Sequence, residues 1–167
     1  AYTIADVVVN GYTGEYDGAY HLIDFSLTDA LKVPVEKYQW YFIPEGTNTA
    51  KAVDSDSYNE YKVRDVAQNG EYYCYIETVL VDSDISVHFL TNKATVTITK
   101  KPVTIKAEDA SKVYDATALT TNTVLLADGS ALVSEHTMSG VMTDVSTITN
   151  VGSQDNIIDA ITVLDSE

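Results

Sequence analysis

Four kinds of side chain in this sequence have types and spacings that could do chemistry: one thiol, three imidazoles, two pairs of close carboxylates and a set of alternating tyrosines. Cys74 as a nucleophile would need a neighbouring imidazole and an electropositive setting to hold a thiolate. It stands two residues after Tyr72 in an alternating stretch that points it inward, so a core thiol is expected. His21, His88 and His136 are isolated from one another. Each is expected in a local hydrogen bond on a strand or turn rather than as a base or ligand. Asp54-Ser55-Asp56 and Asp82-Ser83-Asp84 place paired carboxylates on loops. Hard oxygen ligands suit Ca²⁺, which makes Asp54, Asp56, Asp82 and Asp84 the candidate calcium ligands. Asp-Ser pairs are also ordinary turn formers, and neither stretch is a complete calcium loop. No cofactor is expected, and calcium is the one ion these residues could take. Tyr41, Tyr73 and Tyr75 alternate opposite to Trp40 and Cys74. Exposed on one sheet face they could stack on sugar rings, and the competing reading is that they pair with one another across strands. Gln39 shares the face of Tyr41 without extending the aromatic stripe. No phosphate loop, zinc-protease motif or nucleophile elbow is present, and no catalytic residue is expected.

Composition narrows the partners. The chain has 167 residues, a net charge of −15 and 12 tyrosines. Such acidity repels a phosphate backbone and anionic lipid, so neither nucleic acid nor membrane insertion is expected. It fits solubility first, then cation binding or a basic partner. Hydrophobic residues at 45% are enough for a packed core. A single cysteine excludes an internal disulfide, and no apolar run is long enough to span a membrane. No Asn-x-Ser/Thr sequon occurs.

The elements that would position these residues are strands. Leu22–Leu27 alternates with Ile23, Phe25 and Leu27 inward. In 38–42, Tyr38, Trp40 and Phe42 share a face. Tyr58–Val63 puts Tyr61 and Val63 together, Gly70 turns the chain into 72–81, and 82–84 is a hairpin tip. Val87–Leu90 and Ala94–Thr99 follow, the latter with Ala94, Val96 and Ile98 on one side. Asn10-Gly11, Gly14 and Asp17-Gly18 read as a run of turn signals after Val7–Val9. Thr28–Lys32 could form at most one helical turn. Short strands between turn clusters, with no 3.6 period, read as an all-β sandwich. Lys100-Lys101-Pro102 reads as a short, stiff boundary, with a new strand at 103–106. Only Tyr114 follows among the tyrosines. Gly14–Gly18 and Ser111–Ala116 form a faint internal echo, a Tyr-Asp turn after the first strand of each unit.

Two resemblances organise this pattern. Gln68-Asn69-Gly70-Glu71-Tyr72-Tyr73-Cys74, with Trp40 about thirty residues upstream, resembles the end-of-sandwich signature of an immunoglobulin-type domain. That resemblance makes Trp40, Gly70, Tyr72 and Cys74 a structural signature. It implies a Tyr72 hydroxyl tied back to nearby backbone, and Ile23 or Phe25 where a second-strand cysteine would stand. Lys101–Ile105, Ser111–Asp115, Leu119-Thr120, Gly129, Leu132-Val133 and 151–156 resemble the bacterial Ig-like repeats found in tandem in surface proteins and adhesins of Gram-positive, mostly Firmicute, bacteria. Ala116 departs from the Gly usual there, which leaves the turn type open. Those repeats continue past the position of Asp165 with one or two more strands, so unit two reads as incomplete. Either the chain is shortened or a strand from a neighbouring molecule completes the sheet. Lys106 and Asn156 lie on segments that could meet in an isopeptide cross-link of the kind such domains carry.

The resemblance implies two Ig-like β-sandwich domains in tandem, residues 1–100 and 101–167, the second incomplete at its C-terminus. It implies a non-enzymatic extracellular module of a bacterial surface protein, acting as adhesin stalk or adhesion module. The alternatives are a glycan-binding module of a larger secreted enzyme and a subunit of a surface filament completed by strand donation. Implied partners are neighbouring repeats, a host or cell-surface glycan or protein, and further copies of the chain.

Overall fold

The computed structural model describes residues 7–143 and 146–165. The chain is all-β and divides into two compact units, Ala1–Lys101 and Pro102–Glu167.

Unit one holds strands β1 (Tyr12–Glu15), β2 (His21–Asp24), β3 (Lys37–Pro44), β4 (Lys51–Val53), β5 (Glu60–Val63), β6 (Gly70–Val79), β7 (Ser86–Leu90) and β8 (Ala94–Thr99). The main sheet runs β1-β8-β6-β3-β4, with β7 also paired to β6. β2 and β5 form a separate antiparallel pair. β6 divides its edge between two neighbours: Gly70–Tyr72 pair with β8, and Tyr75–Val79 with β7. Its inward positions Tyr72, Cys74, Ile76 and Thr78 are all buried, as the period-two pattern requires. The two layers close on one core. Ile23 and Val63 come from the small sheet, and Trp40, Tyr72, Ile76, Val96 and Ile98 from the large one.

Besides β4, which the sequence reading did not contain, three features of unit one differ from it. The first is β1, whose glycines read as turn signals. It is a strand, paired parallel to β8 from Tyr12↔Val96 to Glu15↔Thr99. Gly11 is required because a Cβ there would overlap the Thr95 carbonyl oxygen. Close approach of two backbones selects glycine as a turn does, and the two causes look alike in sequence. The second is β2, which ends at Asp24 rather than at Leu27. Phe25 is still buried, and its N–H donates to the Asn59 carbonyl at 3.0 Å. The third is the 3-10 turn Val66–Gln68 before β6, which no period announces. The Gln68 Oε1 accepts from the Arg64 and Asp65 N–H groups at 2.7 and 2.9 Å and closes it.

Unit two consists of three separate antiparallel pairs. They are β9 (Ile105–Ala107) with β11 (Val124–Leu126), β10 (Leu119–Thr120) with β13 (Thr147–Ile148), and β12 (Thr137–Met142) with β14 (Ile158–Leu164). Among its described residues only Met142 and Ser146 are buried. Its opening strand lies at 105–107 rather than 103–106, because Thr104 N–H bonds the Ser130 hydroxyl instead of a strand.

The internal echo is conformational. Asp17 Oδ1 accepts the Ala19 N–H at 2.9 Å across Gly18, whose φ is 78°. Asp115 Oδ1 accepts the Thr117 N–H at 3.0 Å across Ala116, whose φ is 61°. Both are Asx turns with a left-handed residue in the middle. Ala116 therefore holds the backbone that glycine would hold without strain. Ala116→Gly removes a left-handed cost of about 1–2 kcal/mol and adds about 0.5–1 kcal/mol of unfolded-chain entropy. The expected net gain of about 0.5–1 kcal/mol in unit two is read as a higher urea midpoint. A lower midpoint would refute it.

Candidate functional site

The thiol is not poised for chemistry. Cys74 is fully buried opposite Trp40, and its N–H donates to the Thr91 hydroxyl at 2.9 Å. Burial pushes its pKa up to about 12. Two residues earlier, Tyr72 is also buried, and its hydroxyl donates to the Gln68 carbonyl at 2.8 Å. Burial raises that phenol too, with Tyr61 adding to the shift. Trp40 is fully buried, and its Nε1–H donates to the Ser57 carbonyl at 3.2 Å. Ile23 and Phe25 are both buried, and the Phe25 ring lies 5.8 Å from that of Trp40. Trp40 and Cys74 thus lie in the core, and the Tyr72 hydroxyl ties β6 back to the turn before it.

These raised values set a pH dependence. A thiol or phenol whose folded pKa exceeds its unfolded value keeps its proton in the native state, while the unfolded chain loses it. The stabilising contribution is complete below the unfolded cysteine value of about 8.5 and is lost as pH rises toward the folded one. Urea midpoints are expected to fall between about pH 8 and pH 10, and Cys74→Ala should flatten that slope. An unchanged slope in the variant would show that the thiol takes no part.

The histidines occupy separate places. His21 stacks on Tyr12 at 3.9 Å between ring centroids, and its Nε2 lies 3.0 Å from both the Tyr12 hydroxyl and Asp17 Oδ1. Hydrogen bonds from the Ala19 N–H and from His21 hold the Asp17 carboxyl below its usual range. His88 is exposed on β7 opposite Glu77. His136 Nε2 is 3.6 Å from Asp165 Oδ2. None meets Cys74 or a second imidazole.

The acidic loops are structural in their contacts. Ser55 bonds the Ser57 and Glu60 carbonyls through its hydroxyl, and the Tyr38 hydroxyl donates to the Ser55 carbonyl at 3.1 Å. Asp54 and Asp56 line a shallow cleft of about 220 Å³ with Glu60, Tyr61 and Lys62. Asp82 and Asp84 line another with Lys32. An ammonium thus shares each acidic cleft. Among the described residues no group of three or more His, Cys, Asp or Glu side chains is placed to hold a metal ion.

Tyr41, Tyr73 and Tyr75 do come together. They stand half-buried on the outer face of the main sheet, where Tyr41 pairs with Tyr73 and Gln39 with Tyr75. Tyr41 and Tyr73 stack at 5.1 Å with planes 14° apart, so each covers one ring face of the other. The Tyr75 hydroxyl donates to Glu77 Oε1 at 2.6 Å. Leu90, opposite Tyr75 on β7, is 59% exposed, a neighbour that alternation on β6 alone does not disclose. Lys37 and Lys93 pair with Glu77 and Glu71 at 3.5 and 3.3 Å. A further missed residue is Asn92. Its side-chain amide brackets the Val9 backbone, accepting from the N–H at 2.6 Å and donating to the carbonyl at 3.1 Å.

In unit two, Lys106 is exposed on β9. The Asn156 Nδ2 donates to the Glu108 and Thr121 carbonyls at 3.1 and 3.3 Å, and among the described residues no hydrogen bond joins it to Lys106. Lys112 bonds Asp115, Thr117 and the Ala118 carbonyl, which pulls the Asp115 carboxyl far below the usual range.

No protein-family model matches the sequence, and no curated protein is similar to it. Among the described residues no helix is long and apolar enough to cross a membrane.

Proposed function

We propose that this chain is a non-enzymatic extracellular module of a bacterial surface protein, built of Ig-like units and acting as a stalk or adhesion segment. The observation that carries the reading is the parallel pairing of β1 with β8. β1 opens unit one, and β8 leaves it toward Lys100-Lys101-Pro102. Tension entering before Tyr12 and leaving after Thr99 pulls two parallel partners in opposite directions. That loads their hydrogen bonds together, in shear, instead of one at a time. Beyond the ladder, Tyr16 N–H donates to the Thr99 carbonyl at 2.8 Å and Lys101 pairs with Glu15 at 3.4 Å. Further support comes from the Tyr72 corner, the Trp40–Cys74 core and the repeat-like sequence of unit two. The corner and the core are contacts that resist unfolding.

Single-molecule stretching tests this. Unit one pulled from its two ends is expected to unfold at a force several-fold higher than when pulled from handles that peel β8 away. Equal, low forces in the two geometries would overturn the stalk reading.

A second reading rests on the shared outer face of Tyr41, Tyr73 and Tyr75: a module that binds glycans, appended to a larger enzyme. The mutual stacking of Tyr41 and Tyr73 leaves Tyr75 as the ring best able to meet a sugar. Saturable binding to cell-wall or mucin glycans, lost in Tyr75→Ala, would favour it.

A further inference from the structure

The main sheet has an unguarded edge. β7 pairs with β6 on one side and with nothing described on the other. In an antiparallel ladder, hydrogen-bonded pairs alternate with non-bonded ones. Leu80 N–H donates to the Ile85 carbonyl at 3.0 Å, and Thr91 N–H to the Cys74 carbonyl at 2.9 Å. Counting in twos from these pairs turns the N–H and C=O of Val87 and Phe89 toward β6. It turns those of Ser86, His88 and Leu90 outward, where no bond among the described residues reaches them.

Natural edges are blunted by charge, proline or a bulge. The stretch Ser86-Val87-His88-Phe89-Leu90 has no Lys, Asp, Glu or Pro, and its register with β6 is unbroken. The short edge strand β4, by contrast, begins with Lys51.

We propose that β7 is a self-association edge, on which two copies of the chain pair antiparallel about His88. Three observations select a second copy as the occupant. Centring on His88 sets Ser86 opposite Leu90 of the second copy, so every outward N–H finds an outward C=O. The same register sets Val87 beside Phe89 of the second copy. Both side chains are half-buried against the core, and a β-branched residue beside an aromatic is a favourable cross-strand pair. Finally, Asp82 and Asp84 precede β7 while Lys93 follows it. Antiparallel pairing brings the acidic end of each copy to the lysine end of the other, whereas parallel pairing would set acid against acid. Lys93 also contacts Glu71 at 3.3 Å, but is half exposed and able to serve both. On a chain of net charge −15 this local match allows like copies to meet. The proposal is independent of the stalk reading.

Sedimentation of the intact chain over a range of concentrations is the first test, expected to show a reversible dimer that His88→Lys abolishes while far-UV circular dichroism stays unchanged. Cysteine cross-linking fixes the register. His88 is the one β7 position opposite itself in this arrangement, so His88→Cys should form a disulfide-linked dimer under mild oxidation and Ser86→Cys should not. Cys74 is fully buried and does not compete. A chain monomeric at every concentration, or equal cross-linking of the two variants, would overturn the proposal.

Discussion

Trp40→Ala is expected to destabilise unit one by about 3–5 kcal/mol, the usual cost of deleting a large aromatic from a core. The indole is fully buried, with the rings of Phe25 and Tyr61 at 5.8 and 5.9 Å and Cys74 opposite it in the ladder. The site cannot collapse cheaply, because its neighbours Phe25, Ser57, Tyr61 and Cys74 come from four different strands or loops. Folding stabilities of single domains run to about 5–15 kcal/mol, so the loss consumes much of what unit one has. Trp40→Phe separates the causes. It keeps most of the volume and drops part of the indole together with the N–H donated to the Ser57 carbonyl, for an expected cost of about 1–2 kcal/mol. Urea unfolding followed by circular dichroism measures both. A loss below about 1 kcal/mol for Trp40→Ala would mean that the ring is not the centre of the core.

Gly70→Ala is expected to cost about 3 kcal/mol through a different mechanism, steric rather than hydrophobic. Gly70 opens β6 with φ 150°, a backbone that residues bearing a Cβ rarely adopt. A Cβ there would overlap the Ile43 carbonyl oxygen and lie 2.9 Å from the Phe42 ring and 3.0 Å from the Glu45 N. Two of those neighbours are backbone, held by the pairing of Pro44 with Gly70 and by the Glu45 N–H donated to Asn69. They cannot yield without opening the β3–β6 ladder. The loss should therefore appear mainly as faster unfolding, if that ladder end forms late. A cost near zero would show that the turn has slack the geometry does not reveal.

The sequence disclosed the parts of the fold that follow from strict alternation. Tyr72 and Cys74 declare their shared face because one side of β6 is buried and the other is not, whereas on β3 Trp40 is buried between half-buried Tyr38 and Phe42 and Ile43 of the opposite face is buried too. It disclosed less where another cause wrote the pattern. Gly11 and Gly14 signal turns by propensity, and in the folded chain they belong to the approach and the body of β1, paired beside β8. Lys51–Val53 is too short and mixed to show a period. The Gln68 and Asn92 side chains act on backbone groups nearby or far along the chain, and no local pattern fixes such partners. The tyrosine stripe was legible as a stripe. That Tyr41 and Tyr73 would stack on each other depended on a register set by the ladder. The acidic pairs were legible as carboxylates on loops, whereas the lysines beside them, Lys62 and Lys32, come from other segments.

The closure of unit one by its first and last strands also sets an order of events during synthesis. Among the described residues β1 finds its ladder only on β8, and β6 needs β8 for its first residues, so the large sheet cannot be completed until Thr99 has been made. Pairings of such long sequence separation form late and slowly. A chain emerging from the ribosome therefore pairs β2 with β5 and β3 with β6 first, and closes its large sheet only when nearly all of unit one has been made.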